Sequence, residues 1–312
     1  MQEVTKFYPV LIPTLNRYEH FKRCVESLSR NTHADKTELV IGLDYPPSDK
    51  YVEGNLKIKK YISNIRGFAK VTIIEHKTNV GAGGNLRCLR EYVYNHYDAC
   101  ISTEDDNEFS PCFLDFMNKA LSYYYNNSKV MSVCGYTAKS YEHSDSSSIL
   151  YTHDSCAWGI GLWKHKEQNV TDISYYQKIW NSSISFWTLF CKAPKITTMF
   201  AEMMSKQTQW GDVMRSVKNM QEKTYQVKPY KSLVRNWGYD GSGLHCHVIN
   251  HDMEKQEIIE STNFNLNFNN TIVNSLPFIV EFNHLLPSTF TSKIHMIIWC
   301  IYQCIKFRIK YN

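Results

Sequence analysis

The chain has 312 residues, 43% of them hydrophobic and 21% charged, with a formal charge of +5. That length buries a sizeable core, as one large α/β unit or two smaller ones, and the balance excludes wholesale disorder. The positive excess is mild and no arginine-rich stripe is interleaved with aromatics, so the footprint of a nucleic-acid binder is missing.

The first half alternates short apolar strands with amphipathic helices. FYPVLIP (7–13) predicts a buried strand closed by Pro13, and RYEHFKRCVESLSR (17–30) sets Tyr18, Phe21, Val25 and Leu28 at helical spacing. ELVIGLD (38–44) predicts a second strand, followed by the loop YPPSD, and residues 49–66 suit a helix. AKVTIIEH (69–76) predicts a third strand. NVGAGGNLRCLREYVYNHY (79–97) reads as a glycine-rich turn feeding a helix, and ACIST (99–103) as a fourth strand. Pro111 suits the opening of the next helix, and VMSVCGY (130–136) predicts a fifth strand.

This rhythm implies an α/β fold with a doubly wound, mostly parallel, Rossmann-like sheet and helices on both faces. Ligands of such sheets sit at the carboxyl ends of the strands. Asp44, the turn at Gly81–Gly84 and the acidic triplet Glu104-Asp105-Asp106 all fall at such ends or beside them.

The second half is less regular. HSDSSS (143–148) reads as a polar loop and CAWGIGLW (156–163) as an apolar, aromatic segment bearing glycine. Residues 173–224 read as mostly helical, with Trp180, Phe186 and Trp187 as core candidates, and VRNWGYDGSGLHCH (234–247) as a glycine-rich loop. Without a repeat or a long linker, the expected organisation is one catalytic unit over residues 1–247. It divides into a first half reaching about 137 and a second spanning about 138–247, with a C-terminal extension at 248–312.

The extension ends KIHMIIWCIYQCIKFRIKYN (293–312). Met296 to Ile305 is ten residues, half of what a spanning helix needs, and Lys306, Arg308 and Lys310 lie beyond it. It suits either a membrane interface or a helix docked on the core or another subunit; the expectation here is peripheral membrane contact. The start MQEVTKFYPVLIP has no basic region leading a long apolar run, and the ten cysteines form neither a C-x-x-C pair nor a zinc-like cluster. The expected compartment is therefore the cytoplasm, with free thiols.

Three adjacent acids after a buried strand repel one another. They either cap the helix opened by Pro111 as a solvated turn, or hold a hard cation and hydroxyl groups, for which oxygen donors are suited. The apolar strand before them and the parallel-sheet context favour the second. The segment ISTEDDNEFSPCFLDF (101–116) resembles the metal-binding segment of GT-A fold glycosyltransferases. It is similar in particular to the inverting N-acetylglucosaminyltransferase I-like family that acts on N-glycan mannose, whose triplet is also Glu-Asp-Asp. Bacterial family-2-like transferases resemble the chain too, in the opening PVLIPTLNR, with Pro13 and Asn16, and in the turn NVGAGGNLR.

The resemblance implies that Asp106 binds Mn²⁺ or Mg²⁺, that Asp105 faces the ribose and that Glu104 faces the donor sugar. By the same likeness Pro13 and Asn16 belong to the donor site, Asp44 reads the uracil edge of a uridine nucleotide, and Arg87 meets the nucleotide or its phosphates. On its residues alone, Asp44 is equally an ordinary turn aspartate before Pro46, and Arg87 a solvated arginine. QWGDVMRS (209–216) resembles the family's Trp-Asp-Asp-Trp-Met-Arg segment, which gives Asp212 the role of catalytic base. Gly211 and Val213 depart from that pattern, and a first-turn helix carboxylate is the alternative. SLVRNWGYDGSGLHC (232–246) resembles the late loop that closes over the donor diphosphate, with His245 either a metal or phosphate ligand or a structural histidine. CAWGIGLW is similar to the family's PGLGW region, which implies that Trp158, Gly159 and Gly161 line the junction of donor and acceptor; Trp163 reads as aromatic core.

The expected activity is metal-dependent, inverting transfer of a sugar from a nucleotide-diphosphate donor, most simply a UDP-sugar, to a glycan hydroxyl. A lipid-linked glycan of a bacterial surface polysaccharide fits as acceptor. Two alternatives are a sugar-1-phosphate nucleotidyltransferase, which needs a glycine-rich loop after the first strand where this chain has PTLNRYEH, and a non-catalytic carbohydrate- or lipid-binding protein on a transferase scaffold.

Overall fold

The computed structural model describes residues 4–138, 149–168, 170–243, 254–264 and 290–309. Its strands are β1 (Val10–Thr14), β2 (Glu38–Leu43), β3 (Lys70–Glu75), β4 (Ala99–Ser102), β5 (Asn107–Phe109), β6 (Val130–Cys134), β7 (Ile149–Thr152), β8 (Ile160–Trp163), β9 (Tyr225–Pro229) and β10 (Val234–Asn236). Its helices are α1 (Tyr18–Ser29), α2 (Val52–Ile62), α3 (Gly81–Tyr94), α4 (Phe113–Tyr123), α5 (Lys164–Glu167), α6 (Ile173–Asn181), α7 (Ser183–Lys192), α8 (Pro194–Ser205), α9 (Gly211–Glu222) and α10 (Phe290–Ile309).

Eight strands form one sheet in the order β3-β2-β1-β4-β8-β6-β9-β7, and β5 pairs with β10 in a separate antiparallel ribbon. Strands β1 to β4 run parallel, whereas β8 runs antiparallel to both β4 and β6, and β7 antiparallel to β9. The sheet is thus mixed but mostly parallel. The five strands expected from sequence are present. The antiparallel β8 and the outer strands β7 and β9 are findings of the structure.

The first strand runs through Pro13 to Thr14 rather than stopping at the proline. Leu11 O accepts from Thr103 on the β4 side, and Thr14 O accepts from Asp44 on the β2 side. By alternation the Pro13 nitrogen faces the β4 side, past the last β1–β4 bridge at Leu11 and Ser102. No ladder bond is lost there, so proline is tolerated in a central strand.

Along α1, Phe21, Cys24, Val25 and Leu28 are buried, giving the apolar face that seats the helix on the sheet. The main core gathers β1, β2, α1 and α4 around Phe21, Phe113, Phe116 and Trp163, and Phe264 joins it from the C-terminal extension. A second core lies among α6, α7, α8 and α9, centred on Phe186 and Phe200. Cys300 and Cys304 of α10 are buried in it.

Candidate active site

The strand order reverses its direction of growth between β1 and β4, since β2 and β3 lie on one side and β8 on the other. A crevice opens at the carboxyl ends of strands at such a switch point. The chain leaving β1 supplies Thr14, Asn16 and Arg17, and the chain leaving β4 supplies Glu104, Asp105 and Asp106. Asn55 of α2 holds the β1 and β2 exits together, its Nδ2 donating to Leu15 O at 2.8 Å and to Asp44 O at 2.9 Å.

The two aspartates of the triplet are buried. Asp105 accepts from Thr14 Oγ1 at 2.8 Å through one oxygen and pairs with Arg17 through the other. Asp106 accepts from Asn236 Nδ2 at 2.9 Å, and its second oxygen lies 2.9 Å from Arg17 Nη1. One guanidinium therefore bridges both carboxylates, and together they raise its own pKa against the opposing effect of burial. In the sequence Arg17 stands at the end of the PVLIPTLNR opening and at the start of the helix expected over residues 17–30. A cation at a helix N-terminus opposes the helix dipole, and that misfit is the signal in the sequence that could have found it.

Glu104 opens onto the cleft and accepts from Trp158 Nε1 at 3.1 Å. Its carboxyl is pushed up to about 8, first by loss of solvation, then by Asp106 and Asp105; Arg17 pulls the other way and Asp212 adds to the rise. The Asp212 carboxylate thus lies within electrostatic reach of the triplet. It sits in the first turn of α9, where Oδ1 accepts from Val213 N at 2.9 Å and the helix dipole favours a carboxylate. Three residues on, Arg215 turns away from the cleft into a buried pair with Glu167, with Nε 2.9 Å from Oε1.

The loop after β10 closes over the acids. Trp237 N donates to Asp106 O at 2.9 Å, its Nε1 donates to Glu108 Oε2 at 2.9 Å, and the Arg23 guanidinium lies 4.1 Å from its ring centre. A Cβ on Gly238 would stand 2.3 Å from Asp106 Oδ2, so only glycine lets the loop lie this close. Tyr239 meets Trp158 edge-on at 6.1 Å between ring centres, and Asp240 receives His20 Nε2 at 2.9 Å.

The other expected site residues are distributed as follows. Asp44 is buried and accepts from Tyr45 N at 2.8 Å, Val80 N at 3.0 Å and Asn79 Nδ2 at 3.1 Å, tying the end of β2 to the turn before α3. In the first turn of α3 itself a Cβ on Gly81 or Gly83 would meet nothing within 4 Å, and Arg87, further along the helix, is exposed without an ion pair among the described residues. Gly159 has φ of +68°, and a Cβ there would meet Phe113 at 2.8 Å. Gly161 lies inside β8, where a Cβ would meet Met117 and Leu121 of α4 at 2.9 Å. It faces the core beneath that helix. Trp163 is fully buried, its Nε1 donating to Leu121 O at 3.0 Å, as aromatic core would be. His245 lies outside the described residues. The structure therefore gathers Glu104, Asp105, Asp106 and Trp158, with Asp212 within electrostatic reach of Glu104, while Asp44 follows β2 and Arg87 lies on α3.

The donor set fits a divalent cation. Glu104 stands next to the two buried aspartates that Arg17 pairs with, and its carboxyl is pushed up first by loss of solvation and then by Asp106 and Asp105. Among the described residues no three His, Cys, Asp or Glu side chains form a closed cage. A hard cation can be held by one or two carboxylates when ligand phosphates complete its shell, and Asp105 and Asp106 supply oxygen donors of that kind.

Among solved structures, the chain resembles S. aureus TarS at 14% identity and a TM-score of 0.31, over 41% of this chain and 21% of that one. The 1–349 form of TarS in complex with UDP-GlcNAc matches at 14% identity and 0.33, over 46% and 38%. The mannosyltransferase PcManGT from Pyrobaculum calidifontis, in complex with GDP-Man and Mn²⁺, matches at 12% identity and 0.40, over 54% and 48%. The chain thus spans less than half the length of each. No curated protein matches. The family model for glycosyl transferase family 2 matches residues 10–183, more than half of the chain and the whole stretch from β1 through the acidic triplet to α6. With its mostly parallel sheet and that match, this chain belongs to glycosyl transferase family 2.

Proposed function

We propose that the protein transfers a sugar from a nucleotide-diphosphate donor, a UDP-sugar in the simplest case, to a hydroxyl of a glycan acceptor, with inversion at the anomeric carbon. The observation that carries this reading is the Glu104-Asp105-Asp106 triplet at the strand ends, its aspartates held by Thr14, Arg17 and Asn236, with Asp212 within electrostatic reach of Glu104. Asp105 and Glu104 orient hydroxyls of the ribose and of the sugar. Asp44 has accepted three hydrogen bonds, so its carboxylate keeps capacity for one more, from the imide N–H of a uracil. Arg87 and the uncrowded first turn of α3 at Gly81–Gly83 suit the nucleotide moiety, and Pro13 and Asn16 belong to the β1 exit.

Asp106 would hold Mn²⁺ or Mg²⁺ in place of Arg17, with His245 as a further ligand, and the cation would supply positive charge to the diphosphate as it leaves. Arg17, displaced from Asp106, would keep its pairing with Asp105 and its positive charge beside the donor site. Asp212 accepts the proton of the acceptor hydroxyl as its oxygen attacks the anomeric carbon from the face opposite the diphosphate. Trp158 fixes Glu104 and walls the junction between donor and acceptor, with Gly159 shaping the turn next to it. We infer an acceptor presented as a lipid-linked glycan at the cytoplasmic face of a bacterial membrane, in surface polysaccharide synthesis. The glycosyltransferase family, together with a β1 exit whose Arg17 is committed to acids, disfavours the nucleotidyltransferase alternative.

A panel of nucleotide sugars screened for thermal stabilisation and Mn²⁺-dependent turnover tests this reading. The stabilising donor is then offered to Asp212→Asn. Removal of a general base is expected to lower turnover by about 10²–10⁴ with donor stabilisation retained. Turnover within a few-fold of wild type sinks the assignment of the base.

A further inference from the structure

The long helix α10 is apolar on both of its sides. Cys300 and Cys304 are buried against the α6–α9 bundle, with Met296 and Phe307 packed beside them. Its register is fixed by Arg308, whose Nη1 donates to Trp180 O at 2.7 Å and whose guanidinium lies 4.6 Å from the centre of the Phe186 ring. On the opposite side Ile294, Ile298, Tyr302, Ile305 and Ile309 recur at helical spacing, between 42% and 73% exposed. Trp299 and Ile301 flank this stripe, and Ile184 of α7, 83% exposed, adjoins Ser183, which Arg308 reaches at 3.4 Å. A soluble surface helix normally presents polar residues on the side away from its core. Here the outward side is a continuous aliphatic strip, of a kind that marks an interaction surface.

We propose that this face docks in the plane of a bilayer surface that contains anionic phospholipid. The charges argue for that occupant. No acidic residue occurs in α10, and Lys293, Lys306 and Arg308 lie along it. Across α6–α8 and α10, leaving aside the inward-turned Arg308, there are five basic residues, Lys178, Lys192, Lys195, Lys293 and Lys306, against the acid Glu202. Among the described residues no helix is long and apolar enough to cross a membrane, so the helix lies in the interface rather than spanning it. In that setting the protein core takes the place of the polar face that such helices ordinarily turn to water.

A second copy of the chain fits the strip less well. From Ile294 to Ile309 is about 22 Å at 1.5 Å per residue, and a width of about 10 Å gives on the order of 200 Å². Stable dimers bury about 800 Å² per partner. Two copies apposed through α10 would also set lysines and arginines against each other with no acid on either helix.

Co-flotation of the full chain with vesicles tests the proposal. Vesicles of phosphatidylcholine with a third phosphatidylglycerol are expected to carry the wild-type protein, and pure phosphatidylcholine at least tenfold less. Ile298→Asp with Ile305→Asp, both exposed and outside the core, should lower partition to the anionic vesicles at least tenfold. Lys306→Glu should lower it several-fold, in a manner weakened by salt. Matched far-UV circular dichroism confirms the fold of each variant. As a readout in the unaltered chain, brominated lipid should quench tryptophan fluorescence, and Trp299→Phe should lose most of that quenching. Absence of wild-type binding to anionic vesicles overturns the proposal, as does equal binding by the double variant. So does a concentration-dependent dimer that the double variant abolishes while vesicles leave the wild type unbound.

Discussion

Arg17 Nη1 stands 2.9 Å from Asp106 Oδ2 while the same guanidinium pairs with Asp105, so a side chain of the protein neutralises the pair that a cation is expected to share. Removing one partner of a buried pair leaves uncompensated charge, at a cost of about 3 kcal/mol or more. Arg17→Met should therefore lower metal-free stability by about that amount in urea denaturation. Added Mn²⁺ should stabilise the variant more than the wild type, because nothing then competes for Asp106. An unchanged midpoint without metal would contradict this role for Arg17.

Glu104 gives the metal-free protein a pH dependence of definite sign. Its carboxyl is raised to about 8 in the folded state from an ordinary value of 4.5. Between those values the folded protein holds a proton that the unfolded chain has released, so stability falls as pH rises through the window. Thermal melts from pH 5 to 8.5 without metal should show the decline, and Glu104→Gln should flatten it. Identical slopes for the two proteins would exclude Glu104 as its source.

The loop over the acids has no room for a side chain at Gly238, where a Cβ would fall 2.3 Å from Asp106 Oδ2. Gly238→Ala should lift the loop. We expect donor affinity to fall by about one order of magnitude or more, with the unfolding midpoint nearly unchanged because the loop contributes little core. Donor titration of the folded variant checks this, and wild-type affinity would mean that the loop does not close on the donor.

Arg215 and Glu167 form a buried pair beneath α9, and Glu167 is held below its ordinary value by Arg215 despite burial. Glu167→Ala should cost about 3–5 kcal/mol, by stranding a buried guanidinium. A loss below about 1 kcal/mol in denaturant titration would contradict that.

Much of this architecture was legible in the sequence because its parallel strands are buried on both faces and read as short apolar runs: VLIP, ELVIGL and ACIS each mark one. Helix α1 showed its face through Phe21, Val25 and Leu28. The direction of β8 was hidden, since the four residues Ile160–Trp163 acquire it only from pairing with Ala99–Ser102, some sixty positions earlier in the chain. Gly161 was accordingly grouped with the cleft, whereas its contacts are to α4. The acids were visible as a triplet, but their partners Thr14, Arg17 and Asn236 come from distant segments with no local pattern to announce them. Of its two readings, the terminal helix meets the docked one through Cys300 and Cys304, while Ile298 and Ile305 are left exposed.

The most direct test of the central claim is calorimetric titration of UDP-sugars into the wild-type protein and Asp106→Asn, each with and without Mn²⁺. The account predicts that at least one UDP-sugar binds the wild type in the presence of Mn²⁺, and that Asp106→Asn loses at least 100-fold in affinity while remaining folded. Binding by Asp106→Asn equal to that of the wild type, or no binding of any nucleotide sugar to the metal-loaded wild type, would contradict it.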